Sequence, residues 1–147
     1  MRTISLWQPW ASLWCSPHKI HETRDWPTKH RGWLLVHASK KMVKQVDLDL
    51  ADILAGEFGG CWASDLPVGA IIGAVNIVNC RRTDELAFNT KEAQTDYVCG
   101  NFAPGRYAWE RGEWRQFAKQ IPYRGAQGFF SVDLEEIGIK HMMPEAA

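Results

Sequence analysis

The chain has 147 residues, of which 46% are hydrophobic and 23% are charged, and its formal net charge is zero. This length suits one domain, predicted over residues 1–140 with a loose tail over 141–147. No apolar run approaches the roughly 18 residues that cross a bilayer, and a neutral chain is poorly suited to coating long nucleic acids. The four cysteines are widely spaced and form no C-x-x-C pair, which is typical of reduced thiols in a cytoplasmic protein.

Hydrophobic periodicity predicts about six strands and two or three helices. Many strands with glycine bends in one domain favour an α+β fold, a small and partly open β-barrel with helices on its outside. Gly73 predicts a bend or bulge in its strand, and the chain is predicted to turn at Arg111 and Gly112. The predicted strands are 3–7, 19–25, 33–38, 70–80, 106–110 and 129–134, and the predicted helices are 8–14, 40–55 and 91–97.

Charge is distributed unevenly along these elements. Residues 1–45 contain eight Lys or Arg and two acidic residues, whereas the rest of the chain contains nine and fifteen. Within one domain this asymmetry predicts a basic face around a site. The alternative is that the two halves pair electrostatically within the fold.

Aromatic side chains flank the first predicted turn and follow a later strand. Trp7 and Trp10 can stack on a base, and packing in the core is the alternative for this tryptophan-rich segment. Tyr107 and Trp109 lie two residues apart and therefore share a strand face, from which they can stack bases as RNA-binding sheets do. A role in the core or in a lid is the alternative for this second pair.

The segment 18–26, with the sequence HKIHETRDW, is the most unusual in chemistry. In an extended strand Glu22 and Arg24 share one face, and Lys19 and Thr23 share the other. Neither face is aliphatic, so core filling does not explain the strand. A lysine beside other cations can act as a base, and a nearby glutamate can activate water or relay a proton. The alternative for Lys19 and Glu22 is an ion pair on the strand surface.

Arg24 precedes Trp26, and an arginine set between tryptophans can clamp a phosphate or stack on a base. A second phosphate site is predicted at the start of the helix 40–55, where Ser39 is a suitable N-cap and free N–H groups would point outward beside Lys40 and Lys41. The alternative is a plain capped helix. Its apolar stripe includes Leu50 and Leu54, and a glycine at its end is a suitable C-cap.

Several of these segments together resemble the ASCH domain family, a branch of the PUA-like β-barrels. The resemblance covers most of residues 1–132, and five motifs occur in order. They are SLWQPWA at 5–11, KIHETR at 19–24, RG at 31–32 leading to HASK at 37–40, GAIIG at 69–73, and RYAW at 106–109.

The resemblance implies a barrel with an electropositive groove beside the first helix, and an association with RNA or nucleotides. Some small family members remove the acetyl group from N4-acetylcytidine, and others have been linked to RNA cleavage. The amidohydrolase pattern is K-x-x-T-x-R with a distant glutamate. By position, Lys19 matches the lysine and Arg24 the arginine, whereas Glu22 replaces the threonine and Thr23 lies beside it. For the distant glutamate the resemblance points to Glu92 (alternatives are Asp96 and Glu85).

The sequence therefore supports three hypotheses. The first is an RNA- or nucleotide-binding domain for single-stranded RNA or a modified nucleoside. The second is a metal-independent hydrolase in the same groove, either a ribonuclease or an amidohydrolase. The third is a protein-interaction module. No metal is expected, because the histidines and Cys15 fit no known ligand spacing. No cofactor is expected, because the chain contains no Walker loop and no G-x-G-x-x-G after a strand, and no membrane partner is expected.

Overall fold

The computed structural model describes residues 1–43 and 45–143, and its centre is one mixed sheet of six strands. The first and third strands in chain order are parallel, and all other hydrogen-bonded neighbours are antiparallel. The predicted number of strands is confirmed, and the sheet is open, with its second and sixth strands at the two edges. In the order of the chain, the strands are β1 (Arg2–Gln8), β2 (His21–Arg24), β3 (Gly32–Met42), β4 (Ala70–Arg82), β5 (Tyr107–Pro122) and β6 (Phe129–Ser131).

Four α-helices flank the sheet in this part of the chain. The helix predicted at 91–97 is confirmed, and the Thr90 side chain caps it by accepting the N–H of Ala93. A single helical turn at Trp62–Asp65 lies between the predicted helix 40–55 and the predicted strand 70–80. No helix among residues 1–43 and 45–143 is long and apolar enough to span a bilayer. The helices are α1 (Trp10–Trp14), α2 (Leu48–Phe58), α3 (Trp62–Asp65) and α4 (Lys91–Val98).

The predicted helix 40–55 is wrong at its beginning. Residues 39–42 continue β3, where Met42 pairs with Gln8 of β1, so that Ser39 caps no helix. The helix α2 begins later, after Asp47, whose carboxylate accepts the N–H of Leu50 at 2.8 Å. The sheet partner overrides the local helix propensity of this stretch. The buried stripe of Leu50 and Leu54 is confirmed, and Lys44 lies outside the described residues.

The predicted turn at Arg111 and Gly112 is also wrong. One strand of 16 residues passes through both and pairs with β4 along its length, while bulges absorb the irregular register. Arg111 points inward, where its Nε and Nη2 donate to the carbonyl oxygens of Trp14 and Ser16 at 3.2 and 2.6 Å. The polar strand is therefore held by backbone pairing and by capping the end of α1.

Glycine allows the closest approach within the sheet. A Cβ atom on Gly73 would collide with the carbonyl oxygen of Arg115 and lie 2.8 Å from Cys15 Sγ. The register of β4 shifts next to Gly73 against both of its neighbours, which confirms the predicted bulge.

The main core lies inside the curved sheet and is completed across its open side. Trp109 of β5 is fully buried, and its ring lies 4.7 Å from that of Trp26 and 5.6 Å from that of Phe129. These rings link the two edge strands where no backbone pairing joins them in the described structure. On the opposite face, Met143 is buried with Ile139, so packing continues into the predicted tail as far as the structure describes it.

Candidate functional site

A cavity of about 1800 Å³ opens beside α1. It has two ends, which we call the β2 end (Lys19, Glu22 and Arg24) and the β3 end (Ser5, His37, Lys40, Lys41 and residues 123–128). Six Lys or Arg side chains line it against two carboxylates. The cavity therefore concentrates positive charge in a chain that is neutral overall. Its lining consists of residues 5–7, Trp10, Lys19, 22–26, His37, 39–41, Gly69, Gly100, Asn101, Arg106 and 122–128.

Lys19 is buried at the β2 end, with 1% of the residue exposed. Its Nζ donates to the carbonyl oxygen of Cys99 at 2.7 Å and lies 3.5 Å from Glu22 Oε1. The predicted separation of Lys19 and Glu22 onto opposite strand faces is wrong, because β2 begins only at His21 and Lys19 precedes it. The bend before the strand brings the ammonium group to the carboxylate.

Glu22 lies between two cations. Its Oε1 faces Lys19 and its Oε2 is 3.6 Å from Arg24 Nη1. The predicted pairing of Glu22 and Arg24 on one strand face is confirmed by this contact. Thr23 also lines the cavity, and its carbonyl oxygen accepts from Arg106 Nη2 at 2.9 Å. The carboxylate that lines the cavity beside Lys19 is thus that of Glu22, three positions later in the sequence.

Cations lie over tryptophan rings at three places in the lining. The Arg24 guanidinium is 5.5 Å from the Trp26 ring centre, Lys19 Nζ is 5.7 Å from Trp10, and Lys41 Nζ is 5.1 Å from Trp7. Trp7 is 49% exposed, which is high for so large an apolar side chain. These distances are within the range of cation–π attraction.

Ser39, Lys40 and Lys41 line the cavity from the end of a strand. The predicted helix N-terminus does not exist there, so their backbone N–H groups form no helix-end phosphate site. The Ser39 hydroxyl accepts the N–H of Lys41 at 3.2 Å, while both lysine side chains remain exposed. The contribution of this strand end is positive charge rather than a helix dipole.

Three candidates lie outside the lining. Glu92 is exposed in the first turn of α4. Tyr107 is half-buried in β5, and Trp109 is fully buried in the core, where its Nε1 donates to the carbonyl oxygen of Trp26. Of the alternative acids, Glu85 is exposed, and Asp96 is buried under the strand.

Asp96 of α4 fixes the main chain at the β2 end of the cavity. Its Oδ1 accepts the backbone N–H groups of Ile20 and His21 at 2.7 and 3.0 Å, and its Oδ2 is 2.7 Å from His21 Nδ1. A carboxylate from α4 therefore fixes the bend that carries Lys19 into the cavity. The sequence gives no periodic signal for this contact, because it joins residues 75 positions apart.

Arg106 and Arg124 line the cavity, although neither was predicted from the sequence as a site residue and Arg106 was named only as part of the RYAW motif. Arg106 Nη1 pairs with Asp25 at 2.7 Å. Arg124 begins the glycine-containing loop that closes the β3 end. The only sequence feature that pointed to Arg124 is its position before a loop with two glycines, Gly125 and Gly128. This feature by itself does not indicate a binding residue.

Buried thiols near the cavity are not suited to nucleophilic chemistry. Burial raises the pKa of Cys99 to about 11, although the positive charge of Lys19 acts in the opposite direction. Burial likewise raises the pKa of Cys15 to about 12. Because the thiolate is the reactive form, both groups are inert near neutral pH. Among the described residues, no three His, Cys, Asp or Glu side chains are grouped to hold a metal ion.

A family model of the ASCH domain matches residues 4–124. The chain belongs to the ASCH domain family. This ASCH domain is 34% identical over 80 residues to activating signal cointegrator 1 from Homo sapiens, and 31% identical to the protein of that name from Mus musculus. Each match covers 52% of this chain and 14% of the relative, so the chain spans a small part of the length of these relatives.

Solved structures show the same fold. The crystal structure of ASCH from Zymomonas mobilis has a TM-score of 0.54 and 16% identity, with 93% of this chain and 90% of that chain covered. A mutant of the Zymomonas mobilis protein has a TM-score of 0.54 and 15% identity, with 96% and 95% covered. The ASCH resemblance and the PUA-like fold predicted from the sequence are therefore confirmed.

Proposed function

We propose that this ASCH domain binds single-stranded RNA or a nucleotide in the cavity. The observation on which the proposal rests is the arrangement of cations over tryptophan rings, with Arg24 over Trp26 and Lys41 over Trp7. The cations suit phosphate oxygens, and the rings suit unstacked bases. Duplex nucleic acid is disfavoured because its bases are stacked on one another and do not present their faces.

The size and charge of the cavity support this ligand class. Small-molecule sites have volumes of roughly 300–1,000 Å³, and this cavity of about 1800 Å³ has room for more than one nucleotide. Its lining contains four more Lys or Arg side chains than carboxylates, six against two. Neutralising a few phosphates in one cavity is compatible with zero net charge for the whole chain.

The test is a titration of a labelled short single-stranded RNA by fluorescence anisotropy, repeated over a range of salt concentrations. Arg24→Ala is expected to weaken binding and to reduce the slope of log Kd against log salt by about 0.7 to 1. Trp7→Ala is expected to cost about 1–3 kcal/mol through lost stacking. The matched control is Arg82→Ala, whose side chain is 58% exposed and pairs with Asp84 outside the cavity.

Equal affinity and salt slope for wild type and Arg24→Ala would refute the proposed site. Equal loss in Arg24→Ala and Arg82→Ala would show that binding depends on overall charge. If neither RNA nor a nucleotide binds at any salt concentration, the protein-interaction hypothesis replaces the proposal.

Hydrolysis in the same cavity is the second candidate, favoured by the buried contact between Lys19 and Glu22. Lys19 Nζ faces two acceptors, a carbonyl oxygen and a carboxylate, which suits an ammonium group that donates a proton or stabilises an oxyanion. Glu22 is then the group that takes a proton from water, and Thr23 is beside it. Substrates of this chemistry are an acetylated cytosine nucleoside or an RNA phosphodiester. The exposed position of Glu92 does not favour its participation.

The hydrolase is tested by mass spectrometry of products from N4-acetylcytidine and from a short single-stranded RNA, with metal-free protein. Lys19→Met and Glu22→Gln retain side-chain size and are expected to abolish turnover. Glu113→Gln, an exposed change on β5, is the control for purity and charge. Turnover that survives in Lys19→Met would assign the activity to a contaminant or to another site.

A further inference from the structure

A serine and a histidine meet at the β3 end of the cavity. Ser5 Oγ is 2.8 Å from His37 Nδ1, and His37 Nε2 is 2.7 Å from the carbonyl oxygen of Tyr123. A carbonyl oxygen can only accept, so Nε2 has the ring proton. In the neutral ring Nδ1 is then an acceptor, and the Ser5 hydroxyl donates to it.

The fold fixes this arrangement from three sides. Ser5 and His37 are directly paired in the parallel register of β1 and β3. Tyr123 follows β5, and its N–H donates to the carbonyl oxygen of Gly69 at 3.1 Å, which holds the main chain in place. Burial lowers the pKa of His37, although the hydrogen bond to Tyr123 acts in the opposite direction. The imidazole is therefore neutral near pH 7 and able to accept a proton.

We propose that Ser5 is a nucleophile toward a carboxylic ester that also bears a phosphate group. His37 is its base, and the Tyr123 carbonyl oxygen orients the imidazole ring. Serine hydroxyls are activated when they are hydrogen-bonded to a base and a third group orients that base. This activity is separate from RNA binding and from the Lys19 and Glu22 pair.

The surroundings of Ser5 indicate the class of substrate. Lys40 and Lys41 follow His37 along β3, and Arg124 lies between Tyr123, whose carbonyl oxygen accepts from His37, and Gly125. All three cations line the cavity. A Cβ atom on Gly125 would lie 3.1 Å from Ser5 Oγ and 2.7 Å from His37 Cε1. Glycine thus brings main chain rather than a side chain against the hydroxyl, and main-chain N–H groups are the usual donors to an oxyanion.

The proposed reaction has two balanced steps. Ser5 Oγ attacks the ester carbonyl carbon, its proton passes to His37 Nδ1, and the carbon–oxygen bond to the leaving alcohol breaks as His37 returns that proton to the alkoxide. Water then attacks the acyl-serine carbon and gives a proton to His37. The bond to Ser5 Oγ breaks, Ser5 is reprotonated, and a carboxylic acid is released.

The first test is labelling by a fluorophosphonate, which forms a stable adduct with activated serines, followed by peptide mapping. An adduct on Ser5 is expected, absent in Ser5→Ala and formed about 100-fold or more slowly in His37→Gln. No adduct on Ser5, or an equal rate in a folded His37→Gln protein, would overturn the proposal. Labelling is expected to persist in Glu113→Gln, an exposed change outside the cavity lining. The reaction with fluorophosphonate uses neither RNA nor the Lys19 and Glu22 pair, so this result is independent of the proposed RNA binding and hydrolysis.

His37 is buried, so its substitution can prevent folding, and a second variant covers that outcome. The thiol introduced by Ser5→Cys is expected to react with iodoacetamide faster than the exposed Cys61, because His37 would draw its proton. A slower reaction than that of Cys61 would overturn the role of His37 as a base.

The substrate class is tested with 3′-O-acetyladenosine and its 5′-monophosphate, a pair that differs by one phosphate. Acetate release is expected to be faster with the monophosphate and absent in Ser5→Ala. Equal rates for the two esters would refute the phosphate requirement, and no acetate release from either would refute the esterase. This choice of probe rests on the proposed nucleotide binding, whereas the fluorophosphonate test does not.

Discussion

The two ends of the cavity stabilise their polar groups in different ways, by ion pairing at the β2 end and by hydrogen bonds between neutral groups at the β3 end. At the β2 end, charged groups are buried and paired, with Lys19 and Glu22 1% and 8% exposed. At the β3 end, the half-buried Ser5 and the buried His37 form a neutral pair, and the nearby lysines are exposed to solvent. A buried charge is tolerated only with a partner, whereas a neutral group needs only its hydrogen bonds. The β2 end is therefore electrostatically sensitive, and the β3 end is sensitive to shape.

The largest expected effect is at the β2 end. Glu22→Ala leaves Lys19 buried without its carboxylate, and breaking a buried ion pair costs about 3–5 kcal/mol. We expect the free energy of unfolding in urea to fall by about 3 kcal/mol, at the low end of that range because Glu22 keeps some exposure. The control is Glu113→Ala at an exposed position of β5, for which the expected loss of stability is near zero. Equal losses for the two variants would mean that the buried pair does not contribute to stability.

The sensitivity of the β3 end to shape is tested next, by adding one methyl group. Gly125→Ala places a Cβ atom 2.7 Å from His37 Cε1, and overpacking of this kind costs about 1–3 kcal/mol. A lower thermal midpoint is expected. Gly60→Ala is the matched control, because no heavy atom lies within 4 Å of its added Cβ. An unchanged midpoint for Gly125→Ala would show that the loop moves freely away from the histidine.

Acidic pH is expected to lower the free energy of unfolding through His37 at the β3 end. Burial lowers the pKa of His37 in the folded state. As the pH is lowered below 6.5, the unfolded chain therefore binds more protons at this site than the folded chain, and the free energy of unfolding decreases. The slope cannot exceed about 1.4 kcal/mol per pH unit. We expect the loss of stability between neutral and mildly acidic pH to be smaller in His37→Gln than in wild type, as followed by urea unfolding. Parallel curves would exclude a contribution from this histidine.

The smallest effect concerns the thiols, and it sharpens the contrast between buried and exposed groups. Iodoacetamide is expected to modify the exposed Cys61 in the native protein and to leave Cys15 and Cys99 unmodified, because burial raises their pKa to about 12 and about 11. Peptide mass spectrometry after a timed reaction measures this. Rapid modification of Cys99 would show that the packing around Cys99, whose carbonyl oxygen binds Lys19, opens in solution.

Local pattern predicted what depends on neighbours in sequence, and it failed where distant strands decide. The strand face shared by Glu22 and Arg24 follows from a period of two residues, and the structure confirms it. The end of β3 depends on pairing of Met42 with Gln8, which no periodicity within residues 40–55 reveals. The same limit applies to Arg111, whose inward position is set by carbonyl groups almost one hundred residues away.

For the site, residue chemistry was more informative than residue geometry. Lys19, Arg24 and Trp7 line the cavity. The charges of segment 18–26, which has no aliphatic face, and the aromatic rings beside the first predicted turn indicated a binding surface. The sequence did not connect Ser5 with His37, since a parallel register across 32 positions cannot be inferred from either strand alone. Glu92 was selected by its residue type within a polar segment, and the orientation of α4 leaves it outside the lining.

The position of β1 has a consequence for synthesis on the ribosome. β1 lies between β3 and β6, and its residues Ser5 and Trp7 line the cavity opposite the loop that precedes β6. The first strand of this domain thus receives its second partner only after Ser131 has been translated. Such long-range pairing is slow to form, and exposed strand edges are prone to association meanwhile. Nascent chains stalled before residue 129 are therefore expected to lack the assembled cavity, whatever helical structure they already contain.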